Sequence, residues 1–398
     1  MDPILADWLS LIVRWVHVMV GIMWIGTSFH FIWLDASLRP GAERKPGVAG
    51  ESWMVHGGGF YAVEKFTVAP GRMPEGLHWF KYEAYFTWIT GFLLLVLVYY
   101  FGASQFLVDP TVYDISAPAA IGLSLAMLAG GWILYDLICR SPLGQHTGIL
   151  ATLVFTLACA SSYVFCHFFS GRAAYVHAGA FLGTIMAANV FLVIIPNQKK
   201  AVAALLAGAE PDPKYGRQAK QRSLHNNYLT LPVVLMMISN HYPMLYESPY
   251  RWGFVVGALV VGGLVRHYAN QRNAGRPSAA VDHLLVLAIG LGLGLIALST
   301  VRQQSEIALG GEPITLAQVA PIIQQRCVAC HSATPSDAFF KAPPKGIVLD
   351  SNEQIARLAP QILRVAVASR MMPLGNRTGM TDQERAIVGA WINGAHQE

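Results

Sequence analysis

The sequence predicts an all-α protein, a polytopic membrane helix bundle of about eight spans followed by a separate C-terminal domain. Hydrophobic residues form 54% of the 398-residue chain and charged residues only 13%, against about 25% charged residues in an average soluble protein. Apolar runs of about 20 residues recur up to residue 301, and a run of that length crosses a bilayer as a helix. The composition becomes ordinary only beyond residue 303.

Eight stretches of the chain meet this criterion, and the sixth is weakened by Pro232 and Pro243. No basic region precedes the first run and no small-residue cleavage site follows it. We therefore interpret that run as a retained span and not as a signal peptide. The predicted spans lie near residues 8–34, 84–103, 117–139, 147–169, 173–195, 224–245, 251–270 and 281–301.

Basic residues predict the orientation of these spans. With the first residue placed outside, the inward loops hold about 16 Lys and Arg, whereas the short outward loops hold only Arg172 and Arg251. By the positive-inside rule, both chain ends then lie outside the cytoplasm. The lipid bilayer is the predicted surrounding of these helices, and we expect no nucleic-acid partner.

The domain boundaries follow from the change in composition. Residues 1–302 form the predicted transmembrane domain, residues 303–311 a polar, Gly-containing linker, and residues 312–398 the C-terminal domain. In the C-terminal domain, Thr315 with Gln318 and Thr381 with Glu384 have the spacing of capping boxes. Each box predicts the start of a helix.

Cys327, Cys330 and His331 form the motif C-x-x-C-H in the C-terminal domain. This motif is the attachment signature of a c-type haem, in which two thiols bind the porphyrin covalently and the histidine reaches the iron. A zinc half-site is the main alternative, but no second Cys pair follows. Covalent haem attachment belongs outside the bacterial inner membrane. The motif therefore agrees with the predicted orientation and places the C-terminal domain in the periplasm.

The C-terminal domain resembles a short class I cytochrome c. A helix leads into the motif, a loop follows, and the segment "RMMPLGN" precedes a final helix. We expect a methionine thioether as the sixth iron ligand, because a thioether raises the reduction potential and suits electron transfer. Met372, which directly precedes a proline, is the predicted ligand, and Met371 and Met380 are the alternatives.

Four histidines are predicted to lie in the outer half of the membrane, where ionisable groups are costly and mark functional sites. Two facing helices with one histidine each can hold a non-covalent haem b. Arg14 lies one turn from the first of these histidines, where it could contact a haem propionate. Hydrogen bonding between helices is the alternative role. The candidate haem b ligands are His17, His167, His177 and His241.

A second polar group is predicted at the inner ends of the spans. Its members, His30, His225, Asn226 and Asn227, are candidate substrate-binding residues. Amides and imidazoles could bind the edge of a polar planar ligand, although helix capping would explain the two asparagines equally well. The outer histidines form the other candidate site, and the sequence leaves both open.

Four motifs resemble the membrane-bound, cytochrome-linked urate oxidases. They read "HVMVGIMWIGTSFHFIWLD", "GLHWFKYEAYFTWITG", "RAAYVHAGAFLGTIMAANVFLVIIPNQ" and "HNNYLTLPVVLMMISNHYP". With the cytochrome c domain that follows, the resemblance covers nearly the whole chain. It implies oxidation of urate to 5-hydroxyisourate, with electrons passing through haem c to a respiratory-chain acceptor such as a cytochrome c or a terminal oxidase.

Two other classes of function remain open at this point. One is a membrane-anchored electron-transfer cytochrome that serves another dehydrogenase. The other is a redox-linked transporter, because polar residues within a membrane also mark substrate paths. Reduction of the haem by urate alone would distinguish the predicted oxidase from both alternatives.

Overall fold

The computed structural model describes residues 3–41, 45–70, 73–300, 314–337 and 340–394. The predicted linker, residues 303–311, lies outside these ranges. Most described residues are helical. In chain order the helices of the first domain are α1 (Pro3–Ser37), α2 (Tyr82–Leu94), α3 (Ala117–Arg140), α4 (Thr147–Phe168), α5 (Gly171–Ala188), α6 (Ile195–Leu206), α7 (Pro213–Ile238), α8 (Pro243–Tyr246), α9 (Arg251–Asn273) and α10 (Ser278–Thr300).

Within the described residues, seven helical stretches are long and apolar enough to cross a membrane. Seven of the eight predicted spans coincide with them, and α5 and α6 join through a π-helical segment, Asn189–Ile194, into one of these stretches. The sixth predicted span differs. Its helix, α7, begins at Pro213, eleven residues before the predicted start at 224, and does not meet the same criterion.

Polar residues on α7 explain this difference. Arg222, Asn226 and Asn227 are buried, because α7 packs against α5, α6 and α9 and contacts α1. A helix surrounded by other helices can carry polar side chains that a lipid-facing helix cannot. α7 therefore contributes the polar interior of the bundle.

A β-hairpin between α1 and α2 departs from the all-α prediction. Strand β1 (Val48–His56) pairs antiparallel with β2 (Gly59–Phe66), and Val55 lies opposite Phe60. Gly57 and Gly58 form the two-residue turn, and both have the positive φ that such a turn requires. Alternating aromatic and β-branched residues around a Gly-Gly pair are a hairpin signal. The predicted spans at 8–34 and 84–103 leave this segment as a connection between two helices, and the hairpin within it is not among the predicted elements.

The C-terminal domain has a hydrophobic core separate from that of the bundle. It is built from α11 (Leu316–Arg326), α12 (Asn352–Arg357), α13 (Ala359–Ile362) and α14 (Asp382–Gly394). Ile323, Ile355 and Trp391 are central buried residues of this core. Both predicted capping boxes are present, at the start of α11 and at the start of α14.

Candidate functional site

A cavity of about 380 Å³ lies between α1, α2, α5 and α7. We call it the bundle cavity. Most of its lining is apolar, and none of the described residues that line it is an Asp or a Glu. Its volume is in the range of small-molecule sites, about 300–1,000 Å³. The charged and polar side chains that line it are those of Arg14, His17, Thr87, Tyr99, Arg172, Thr184, Thr230, Asn240 and His241.

Glycines on α1 and α5 leave the space for this cavity. A Cβ built at Gly21 or at Gly183 has no neighbour within 4 Å, so both positions open into free volume. Trp24 and Trp88 add indole rings to the lining. A space with aromatic walls and cationic groups suits a planar anion, because rings stack on its face and guanidinium groups bind its charge.

His17 is held in one tautomer. Its Nδ1 lies 3.0 Å from the backbone oxygen of Thr87 and 3.1 Å from Oγ1 of Thr90. Because a carbonyl oxygen can only accept, Nδ1 carries the hydrogen and Nε2 keeps its lone pair. His17 can therefore accept a proton or bind a metal through Nε2.

The structure brings together two of the four predicted outer histidines. His241 lines the same cavity as His17 and Arg14. His167 is exposed and stacks on Tyr163, outside the cavity. His177 is fully buried, with Nδ1 2.8 Å from the oxygen of Ala173, and it also lies outside the cavity. Of the four candidates, His17 and His241 line the bundle cavity, and His167 and His177 do not.

The four predicted inner residues do not form one site. His30 is exposed, and its ring contacts Phe31 and Trp33 of its own helix. On α7, Asn226 turns toward α5 and accepts from Nδ2 of Asn189 at 3.0 Å. Asn227 turns away from it and accepts a hydrogen bond from Nε of Arg266 on α9.

Around His225 the structure reveals a polar network that sequence reasoning missed. Tyr135 Oη lies 2.6 Å from Nδ1 of His225, and Asn189 donates to the same hydroxyl at 3.0 Å. Arg222 forms a buried ion pair with Asp136 at 2.8 Å. Asp136 is an acidic residue within a predicted span, and this placement was the feature of the sequence that could have revealed the network. These groups bond to each other, so the network joins α3 and α7 to the π-helical segment Asn189–Ile194 that follows α5.

The C-x-x-C-H motif follows α11 directly. Nδ1 of His331 lies 3.1 Å from the backbone oxygen of Ile347, so Nδ1 donates and Nε2 is left as a ligand. Burial raises the pKa of the Cys327 thiol to about 12. The described part of the chain contains no group of three or more His, Cys, Asp or Glu side chains that could hold a metal ion. Two thiols, a free imidazole nitrogen and an apolar core fit a c-type haem.

The methionine loop, which we define as residues 370–380, contains all three candidate sixth ligands. Arg385 fixes this loop by donating from Nη1 to the backbone oxygen of Met372 at 2.7 Å and from Nη2 to Oδ1 of Asn376 at 3.3 Å. Met380 is 3% exposed and packs in the C-terminal core. Met371 and Met372 are both partly buried, and Met372 packs against the C-terminal core. Met372 remains the predicted ligand because it directly precedes a proline.

A second cavity, of about 610 Å³, lies between one end of the bundle and the methionine loop. We call it the interdomain cavity. The bundle contributes Gln105, Asp109, Arg172, Asn240 and Glu247 to its lining. Burial, followed by the Asp109 carboxylate, raises the pKa of Glu247 to about 7.

We expect this carboxyl group to make the stability of the protein depend on pH. The pKa of this carboxyl group in the folded protein lies above its ordinary value of 4.5. Its contribution to the stability of the folded protein is therefore fully present only at a pH below 4.5. The contribution is lost as the pH rises through about 7. Glu247→Gln should therefore raise the thermal unfolding midpoint at pH 8 and reduce its change between about pH 5 and about pH 8. The exposed Glu210→Gln is the control, and equal pH profiles for wild type and Glu247→Gln would refute the assignment.

The fold and the cavities define a class of protein, a helical bundle whose long apolar helices could span a membrane around a cationic, carboxylate-free cavity. The family model described as Urate oxidase N-terminal matches residues 3–299, and the chain belongs to this family. Searches of curated proteins and of solved structures gave no match. The matched residues include every residue that lines the bundle cavity and end before the C-terminal domain.

Proposed function

We propose that the helical domain oxidises urate in the bundle cavity and delivers the electrons to a haem c bound by the C-terminal domain. One observation carries this proposal: the urate oxidase family match covers the whole bundle cavity, and the same chain continues into a C-x-x-C-H motif. The bilayer surrounds the bundle, and the basic loops favour a bacterial inner membrane with the C-terminal domain in the periplasm.

The chemistry of the cavity supports urate as its ligand. Urate is a planar monoanion with amide-like edges. Arg14 and Arg172 supply positive charge, and no lining carboxylate opposes it. Asn240 supplies an amide, and its Oδ1 is buried without a hydrogen-bond partner in the structure. Trp24 and Trp88 supply aromatic surfaces for the ring face.

His17 is the proposed proton acceptor. Urate and one water molecule give 5-hydroxyisourate, two electrons and two protons. Because Thr87 and Thr90 hold the hydrogen on Nδ1, the Nε2 lone pair can take a proton as the electrons leave. The arginine charges keep the bound substrate anionic, which favours its oxidation. In this proposal His17 contacts the substrate and accepts its proton, and the predicted inner residues His30, His225, Asn226 and Asn227 do not bind the substrate.

Four residues of the C-terminal domain would hold the haem. Cys327 and Cys330 would form the two thioether links, and His331 and Met372 would bind the iron. When bound, haem c supplies a one-electron acceptor, so one urate requires two successive transfers. A respiratory-chain cytochrome c or terminal oxidase then takes the electrons onward.

The predicted haem b would compete with urate for space. Only His17 and His241 lie in one cavity, and that cavity is the proposed urate site. We therefore expect the purified protein to contain haem c alone. A reduced, pyridine-treated sample with equal amounts of b-type and c-type haem would place a haem b in the cavity and the substrate elsewhere.

Urate added to the purified, full-length protein under nitrogen tests the proposed function. We expect the haem to be reduced by urate alone, and xanthine at the same concentration serves as a control ligand. A haem that is reduced only after another dehydrogenase is added would support the electron-relay alternative. Uptake of urate into vesicles without haem reduction would support the transporter alternative.

A further inference from the structure

We propose that the methionine loop docks on the bundle and is the face through which electrons enter the C-terminal domain. The electrons would leave the helical domain past Arg172 and Asn240. This inference rests on the proposed function and adds the route between its two halves. It assigns a role to the interdomain cavity and to the turn Leu374–Asn376. The proposed function gives no role to this turn or to the space between the domains, although Arg172, Asn240 and Met372 at its edges belong to the proposed urate and haem sites.

The two cavities meet at shared residues. Arg172 and Asn240 line both the bundle cavity and the interdomain cavity. Nε of Arg172 and Oδ1 of Asn240 are buried without hydrogen-bond partners. Buried polar atoms normally have a hydrogen-bond partner. We therefore expect a polar ligand or a water molecule to bind both atoms, between the two cavities. The bundle cavity therefore adjoins the interdomain cavity at these two residues.

On the opposite side, the interdomain cavity is lined by Met371, Met372 and Met380. All three candidate sixth ligands of the haem thus line the cavity between the C-terminal domain and the bundle, Met380 from within the C-terminal core. The thiols of Cys327 and Cys330 do not line this cavity. The expected path from urate therefore enters the C-terminal domain through its methionine side.

Gly375 closes the contact between the two domains. It has a φ of +58°, and a Cβ built on it would lie 2.9 Å from the backbone oxygen of Gln105. Gln105 belongs to a π-helical segment, Ala103–Leu107, which packs against the turn Leu374–Asn376. Only a residue without a side chain permits this approach. A side chain at this position must displace the methionine loop from the bundle.

Opposite charges face each other across the same cavity. Asp109, Glu247 and Arg172 line it from the bundle and are net negative, whereas Lys345, Arg370, Arg385 and Asp382 line it from the C-terminal domain and are net positive. Arg370 and Arg385 also act electrostatically on Glu247. Complementary charges favour one orientation of docking. The methionine face is therefore the face that matches this end of the bundle.

Gly375→Asn tests the docking face, and Gly346→Asn is the matched control. Asparagine tolerates positive φ, so the local backbone is preserved at both positions. A Cβ at Gly346 has no neighbour within 4 Å. We expect Gly375→Asn to slow haem reduction by urate about 10-fold or more. Haem content and reduction by dithionite should stay unchanged. Hydrogen exchange should become faster in residues 103–107, and the control should match wild type in every measurement.

Equal rates of reduction by urate in wild type and Gly375→Asn would overturn the proposed route while leaving the proposed function intact. Failure of wild type to respond to urate would instead refute the proposed function. If Gly375→Asn loses its haem, zero-length cross-linking of the unmodified protein decides the question. A link between Lys345 and Asp109 or Glu247 supports docking at this face, and absence of any link from these carboxylates to the C-terminal domain overturns it.

Discussion

Cys327→Ser should abolish stable covalent attachment of haem, with the peroxidase stain on a denaturing gel falling about 10-fold or more. The hydroxyl group of serine forms no thioether, and Cys330 alone would leave one of two links. The thiol packs against the C-terminal core, so its loss also removes an apolar contact. Electron delivery from urate should fall with the haem content, because no acceptor remains in the chain.

Cys159→Ser is the matched control for this change. Cys159 lies in α4, outside both cavities, and the thiol there serves only packing. The control should keep full staining and full reduction by urate. A Cys327→Ser protein with the staining of wild type would contradict the assignment of the motif.

Gly183→Leu should block the bundle cavity and slow haem reduction by urate about 100-fold or more. A leucine at this position on α5 extends into free volume that the proposed substrate occupies. The haem site lies in the other domain, so haem content and reduction by dithionite should not change. The rate at saturating urate and the urate concentration at half-maximal rate should both be measured, because partial filling would weaken binding first.

Gly122→Leu on α3 provides the comparison for this substitution. This glycine also lies within a long helix and has no neighbour within 4 Å of its built Cβ, but it does not line the cavity. We expect urate to reduce the haem of the Gly122→Leu protein at the wild-type rate. If Gly183→Leu also retained that rate, urate would have to bind elsewhere, with the polar network around His225 the next candidate.

The helices could be predicted from the sequence because their signals are local. Apolar length predicts each stretch that can span a membrane, and the two capping boxes mark the starts of α11 and α14. The hairpin β1–β2 was missed although its Gly-Gly turn is an equally local signal. Its nine- and eight-residue strands lie between two long apolar runs, and hydropathy averaged over a window hides alternation with a period of two.

The candidate site could be predicted only in part, because depth in the membrane does not determine which face of a helix a residue occupies. His17 and His241 were placed at one level and do line one cavity. His177 has a similar depth, but Val176, Ala180 and Gly183 form the cavity face of α5. A residue one position along a helix is turned by about 100°, so His177 points elsewhere. Arg172, counted only as a loop cation, required the packed structure to reveal its place between the two cavities.

Counting electrons under nitrogen tests the central claim most directly. Purified protein is mixed with less than one equivalent of urate, and urate loss and haem reduction are followed in the same cuvette. We predict that about two haem groups are reduced for each urate consumed, with 5-hydroxyisourate as product and no need for oxygen. Urate loss only in the presence of oxygen, with hydrogen peroxide formed and the haem still oxidised, would contradict the account.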